Sequence, residues 1–156
     1  MSELSKTAQS HQFRVHGAEV DASFLRKINT ALGHGKFLDI NYLSHGDDWV
    51  ELTLKWRDDL VGAPETGVLA SGPIISLLDT ATSMAVWIRR GTFAAHATLD
   101  LRIDYVRAAT PGKTLIGRGE CYKLKRRVGF ARGIAHEGDP SDPVAHATAL
   151  FMTTDG

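Results

Sequence analysis

Residues 68–87 read VLASGPIISLLDTATSMAVW and carry one charge, Asp79, in an otherwise apolar and uncharged run. Pro73 suits the first turn of a helix, where its missing N–H has no intrahelical partner to lose, and no further proline or glycine follows until Gly91. The spacing predicts a helix over 74–90 that is apolar nearly all round, with Ile74, Leu77, Leu78, Ala81, Met84, Ala85 and Ile88 on several sides. Such a helix is buried, in the concave face of a sheet. An ionised carboxylate in those surroundings is costly unless it is paired, hydrogen-bonded or kept protonated. Ser76, Asp79 and Ser83 share one face, with Thr80 and Thr82 beside them. Two uses of Asp79 follow. It can bond to Ser76, Ser83 or a backbone amide and merely fix the helix. Alternatively, it can act as general base or nucleophile on a carbonyl held at the helix N-terminus, where the N–H groups of Ser71 or Gly72 favour a developing oxyanion.

The flanking sequence supplies the sheet. Upstream, residues 36–56 alternate apolar and polar side chains around a turn at residues 45–48, which predicts a hairpin. A shorter helix starts near Asp21, with Phe24, Leu25, Ile28 and Leu32 at helical spacing and Gly33 and Gly35 as its stop. Residues 57–72 carry Gly62, Pro64, Gly67 and Gly72 and read as a connecting loop. Downstream, four strands follow in series, separated by turn signals at residues 109–113, 126–127 and 138–143. In the first of them Leu99, Leu101, Ile103 and Tyr105 alternate with Asp100, Arg102 and Asp104. The sum is an α+β chain: a polar, mobile tail over 1–18, then one domain over 19–156 with an antiparallel sheet wrapped around one long central helix.

Composition narrows the function. With 43% hydrophobic and 23% charged residues the chain has the balance of a soluble globular domain, and 18 acidic against 18 basic residues leave no global field for nucleic acid. The N-terminus lacks a secretory signal and no run reaches membrane-spanning length, so a cytoplasmic protein without a membrane partner is expected. One cysteine, Cys121, excludes a disulfide framework, and the grouping of His136 and His146 with Glu137, Asp139 and Asp142 matches no defined metal pattern. No metal and no cofactor are expected.

The helix with Asp79, followed by TLDLRIDYVRAATPG over residues 98–112, resembles the PaaI-type acyl-CoA thioesterases of the hotdog-fold superfamily, over roughly residues 35–154. The resemblance implies a homodimer, often paired again into a homotetramer, with the active site at the dimer interface and the acyl-CoA substrate lying across it. It assigns Asp79 as the carboxylate that activates water or attacks the thioester, and Ser71 and Gly72 as the amides that polarise its carbonyl. It also implies that Thr98 reaches the site from the partner subunit. Ser83 is a further substrate-binding candidate. Two positions depart from the family pattern: Ala70 stands where the family has histidine, and Pro64 and Glu65 fall where many members carry asparagine, so Glu65 is the replacement polar candidate. Arg107, and Arg126 and Arg127 of the basic run KLKRR, are candidates for the coenzyme A phosphates. A non-catalytic acyl-CoA binding module of the same fold is the alternative reading.

Overall fold

A computed structural model of the chain describes residues 13–15, 18–20, 22–31 and 33–154. The elements in chain order are β1 (Phe13–Val15), β2 (Ala18–Val20), α1 (Ala22–Ala31), α2 (Gly33–Leu38), β3 (Asn41–His45), β4 (Trp49–Leu54), β5 (Val61–Ala63), β6 (Val68–Leu69), α3 (Ser71–Arg90), β7 (Thr92–Phe93), β8 (His96–Tyr105), β9 (Leu115–Leu124), β10 (Val128–His136) and β11 (Ala145–Thr153). Six strands form one sheet in the order β3-β4-β9-β10-β11-β8, with every neighbouring pair antiparallel. The long helix α3 packs across β4, β9 and β10, which is the hotdog arrangement.

The sheet accepts the helix because its inner face is built from small residues. Gly117 and Gly119 on β9, Ala131, Gly133 and Ala135 on β10, and Ala145, Ala147 and Ala149 on β11 are all buried. A Cβ at Gly117 would lie 2.5 Å from Leu77 Cγ, and one at Gly129 would lie 2.5 Å from Val86 Cγ1. The helix therefore sinks into a trough and buries Leu77, Leu78, Ala81, Met84, Ala85 and Val86 against it. Gly91, in the left-handed conformation at φ 71°, ends α3 by donating its N–H to the Trp87 and Ile88 carbonyls.

Several local expectations change. Residues 36–38 belong to α2 and not to the first strand of the hairpin, which is β3–β4. The expected loop over 57–72 contains a 3-10 turn at Asp58–Leu60 and the β5–β6 hairpin. Helix α3 begins at Ser71, so Pro73 is its third residue. The segment read as a tail contains β1, which pairs with β2 and β7, while 1–12 and 16–17, like Asp21 and Leu32, lie outside the described residues.

The alternation seen in β8 is broken by a bulge. Phe151 pairs with Thr98 and Leu150 with Asp100, so Leu99 is the extra residue. With unbroken alternation Thr98 would face away from α3 whenever Leu101, Ile103 and Tyr105 face towards it. The bulge puts both sets on the α3 side.

Candidate active site on helix α3 and the sheet edge

The hydroxyls along the polar face of α3 are mostly satisfied by the helix itself. Ser76 Oγ donates to the Gly72 carbonyl at 3.0 Å, Thr80 Oγ1 to the Ser76 carbonyl at 2.7 Å and Thr82 Oγ1 to the Leu78 carbonyl at 2.7 Å. Thr82 Oγ1 also reaches the Asp79 main-chain carbonyl at 3.2 Å, but the Asp79 carboxylate is not bonded to these hydroxyls. Its Oδ1 accepts from Thr98 Oγ1 of the same chain at 3.1 Å. The bulge in β8 places Thr98 over the helix that carries Asp79, so the two meet within one chain. Burial raises the Asp79 pKa, and the Thr98 hydrogen bond lowers it by less, so the carboxyl sits above the ordinary aspartate range.

One turn further along α3, Ser83 Oγ lies 2.6 Å from His96 Nε2. The imidazole stacks on Trp87, at 4.7 Å between ring centroids, and meets Phe151 at a tilt, at 5.0 Å. Burial, with a smaller contribution from the Arg90 cation, brings the His96 pKa down to about 4. The side chain is therefore neutral in the native protein at neutral pH, whereas an unfolded histidine protonates near pH 6.5. Acid pulls the unfolded state down first, so this contribution to stability is full above about pH 6.5 and declines as pH falls toward about 4. His136, also buried and also lowered, adds to the same decline. Urea midpoints measured from pH 7 to 4 are expected to fall less steeply for His96→Phe than for the wild type, and parallel curves would refute the assignment.

The N-terminus of α3 is open. Ala70 at the cap position makes no side-chain capping bond, and Ser71 and Gly72 are exposed. Two cavities flank it. One, of about 270 Å³, is lined by His34, Phe37, Leu60, Ala70, Gly72 and Ser76. The other, of about 340 Å³, is lined by Val68, Ser71, Ile74, Tyr105 and Val106 among others, and Tyr105 Oη donates to the Ser71 carbonyl at 3.3 Å. Nothing lies within 4 Å of a Cβ built at Gly72, and its φ is not positive, so neither packing nor backbone geometry requires glycine there. His34, which sequence reasoning missed, approaches from α2 with Nε2 3.0 Å from Ser76 Oγ. It thereby brings an imidazole to the cavity where residue 70 is alanine. No pattern within the α3 segment could have indicated it, since it lies 42 residues upstream of Ser76.

Other predicted residues are scattered. Glu65 is exposed in the turn between β5 and β6, and the structure does not bring it to Asp79. Ser83, a substrate-binding candidate, is engaged with His96. Arg107 bonds to Glu137 and Asp142, each at 3.2 Å, and to the Ala108 and Asp142 carbonyls. Burial opposes ionisation of Glu137, but the Thr110 N–H, the Thr110 hydroxyl and Arg107 together hold its carboxyl below the usual range. Arg107 is thus a strut between the β8–β9 and β10–β11 loops. Arg126 and Arg127 are exposed in the β9–β10 turn at the C-terminal end of α3, where Arg90 Nη1 donates to the Arg126 carbonyl at 3.1 Å.

Comparison with known proteins accords with this geometry. The thioesterase superfamily pattern matches residues 66–143, which include α3 and strands β7 to β10. A Pseudomonas aeruginosa protein of known crystal structure is 35% identical, with a TM-score of 0.75 over 83% of this chain and 96% of its own. The Escherichia coli PaaI protein from the phenylacetic acid degradation operon is 18% identical, with a TM-score of 0.73 over 86% and 91% of the two chains. A thioesterase from Haemophilus influenzae is 17% identical, with a TM-score of 0.73 over 84% and 88%. These last two likenesses establish the fold alone. No protein of curated function matches the sequence. Among the described residues no helix is long and apolar enough to cross a membrane.

Proposed function

The chain belongs to the thioesterase superfamily, and from that premise we propose that it hydrolyses the thioester of a fatty or aromatic acyl-CoA with Asp79 as general base or nucleophile. The observation that carries this reading is the Asp79–Thr98 pair. It is a half-buried carboxylate with one hydrogen-bond donor, on an element whose Ser76, Thr80 and Thr82 hydroxyls are already satisfied by its own carbonyls. The Ser71 and Gly72 amides, uncapped and exposed beside two cavities, suit the carbonyl oxygen of the thioester.

These two parts cannot act on one carbonyl from the same helix. Asp79 follows Gly72 by seven residues, a rise of about 10.5 Å, whereas a base acting through one water must lie within about 6 Å of the carbon attacked. A second copy resolves the mismatch by setting its Asp79 against the first copy's Gly72. Among the described residues strand β8 is one of the two edges of the six-stranded sheet and, at ten residues, the longer, with Leu99 54%, Tyr105 46% and the adjoining Val106 56% exposed. An unpaired edge of that length with exposed apolar side chains among its charged ones can pair with the same strand of a second copy. The proposed enzyme is therefore a homodimer joined edge to edge through β8, with two composite sites. Arg126 and Arg127 remain the candidates for the coenzyme A phosphates; Arg107 is already committed to Glu137 and Asp142. Sedimentation is expected to give at least twice the 17.0 kDa chain mass, and a monomer with full turnover would refute the composite site.

Thiol release measured across short-chain, long-chain and aromatic acyl-CoA tests the activity and identifies the acyl class. Saturable binding without turnover would leave a binding module instead. Gly72→Ala adds the sharper check. Because the added methyl meets no protein atom, the variant folds as well as the wild type, while a substrate oxygen approaching that amide is obstructed. Turnover is expected to drop about tenfold or more at unchanged thermal stability.

A further inference from the structure

Helix α3 and strand β8 are joined by successive rungs. Trp87 Nε1 donates to the Ala94 carbonyl at 2.8 Å just before the strand, Ser83 Oγ meets His96 Nε2 at 2.6 Å, and Thr98 Oγ1 donates to Asp79 at 3.1 Å. The rungs fall every four residues on the helix and every two on the strand, running in opposite directions. Four helical residues rise about 6.0 Å and two strand residues about 6.6 Å, so the two ladders keep step over this short span. Within the described sheet β8 is held from one side only, by β11, and the bulge at Leu99 immediately follows Thr98. A bulge that moved by one position would turn Thr98 to the other face of the sheet.

We infer that Ser83 and His96 are a positioning pair, holding β8 at the height and facing at which Thr98 donates to Asp79. The inference deepens the thioesterase reading and rests on it only for its effect on turnover. His96 is suited to the task because its ring packs on both Trp87 and Phe151, and among the described residues the Ser83 contact is its one polar bond while Nδ1 is buried without a partner. Ser83 is suited because it lies one turn from Asp79 on the same rigid element. The neutral state of His96 is consistent with a fixed strut and not a proton carrier. Within one chain burial raises the Asp79 pKa and the Thr98 bond lowers it, so loss of that bond moves its titration upward.

The test is a carbon-13 NMR titration of the Asp79 carboxyl in the substrate-free protein, which no substrate contact can affect. Thr98→Val is expected to move the midpoint about one pH unit higher. Ser83→Ala, which keeps the helix, and His96→Phe, which keeps the aromatic stack, are expected to move it in the same direction by at least half as much. Adding Ser83→Ala to Thr98→Val should produce no further shift. In turnover, kcat of the two positioning variants should fall about ten- to a hundredfold at unchanged KM, and the acid limb of the rate profile should move up with the carboxyl. An Asp79 midpoint unmoved by Ser83→Ala and His96→Phe overturns the inference. The expected shifts in a protein that turns over no acyl-CoA would support the positioning pair and sink the thioesterase reading.

Discussion

Asp79→Asn is expected to fold normally, bind acyl-CoA and lose its turnover by about a thousandfold. The substitution is isosteric, and the amide oxygen still accepts the Thr98 hydroxyl that now meets Asp79 Oδ1 at 3.1 Å, so little changes except the ability to take a proton or attack a carbonyl. Stability separates this outcome from simple damage. Burial raises the Asp79 pKa, so the folded state holds that proton more tightly than the unfolded chain does. The resulting stabilisation is present below the unfolded value of 3.8 and is lost as pH rises through the raised native value. At neutral pH the wild type therefore carries a cost of ionising a half-buried group that the variant escapes. The variant should unfold at an equal or higher urea concentration at pH 7, with the difference closing in acid. Turnover by Asp79→Asn within tenfold of wild type, for any acyl-CoA that the wild type hydrolyses, would remove Asp79 from the mechanism. A stability gain with no loss of activity would make it a structural carboxylate.

The largest effect on stability is expected at a glycine of the trough that carries no chemistry of its own. A Cβ at Gly119 would lie 2.3 Å from both the carbonyl carbon and the carbonyl oxygen of Ala81 and 2.6 Å from the Thr82 nitrogen. Every one of those atoms is helix backbone, so no side chain can rotate away and the whole of α3 must lift off β9. Gly119→Ala should destabilise the protein by about 3 kcal/mol or more, at the upper end of the cost of overpacking. The helix that must move also carries Asp79, two residues before Ala81, so the residual folded protein should lose activity too. Gly72→Ala is the internal comparison, with the same change of residue and open space around it. Urea unfolding of both variants decides the point, and a Gly119→Ala midpoint close to that of Gly72→Ala would mean the trough is looser than its geometry implies.

The outline of the fold was legible because the two periodicities are clean. An apolar run bounded by Pro73 and Gly91 can only be a buried helix, and the strands after it alternate between turns rich in glycine and proline. The trough is a finding of the structure: small residues stand at alternate positions of β9, β10 and β11, but only the packing of α3 shows what they accommodate. Asp79 stood out for an equally simple reason, being one charge in a segment where a charge is costly. By contrast, the contacts of His34 and Arg107 could not be read from the chain because a long-range contact leaves no periodic trace: His34 meets Ser76 from another helix, and Arg107 meets Glu137 across two loops.

Thr98 shows most clearly where sequence stops and tertiary structure takes over. Its identity as a hydroxyl at the start of a strand is written in the chain, as is the carboxylate it serves. Which way it points is not. Strict alternation with Leu101, Ile103 and Tyr105 sends it to the opposite face, and only the pairing of β8 with β11, with Leu99 left unpaired, turns it onto α3. A bulge costs one ladder position and is offset by contacts made elsewhere, here the packing of His96 on Trp87 and Phe151 and the bond to Ser83. Local propensity determined the helix, the strands and the lone carboxylate; the packing of strand on helix decided which side chains face that carboxylate, because a one-residue shift in register leaves local preference unchanged and reverses every side chain.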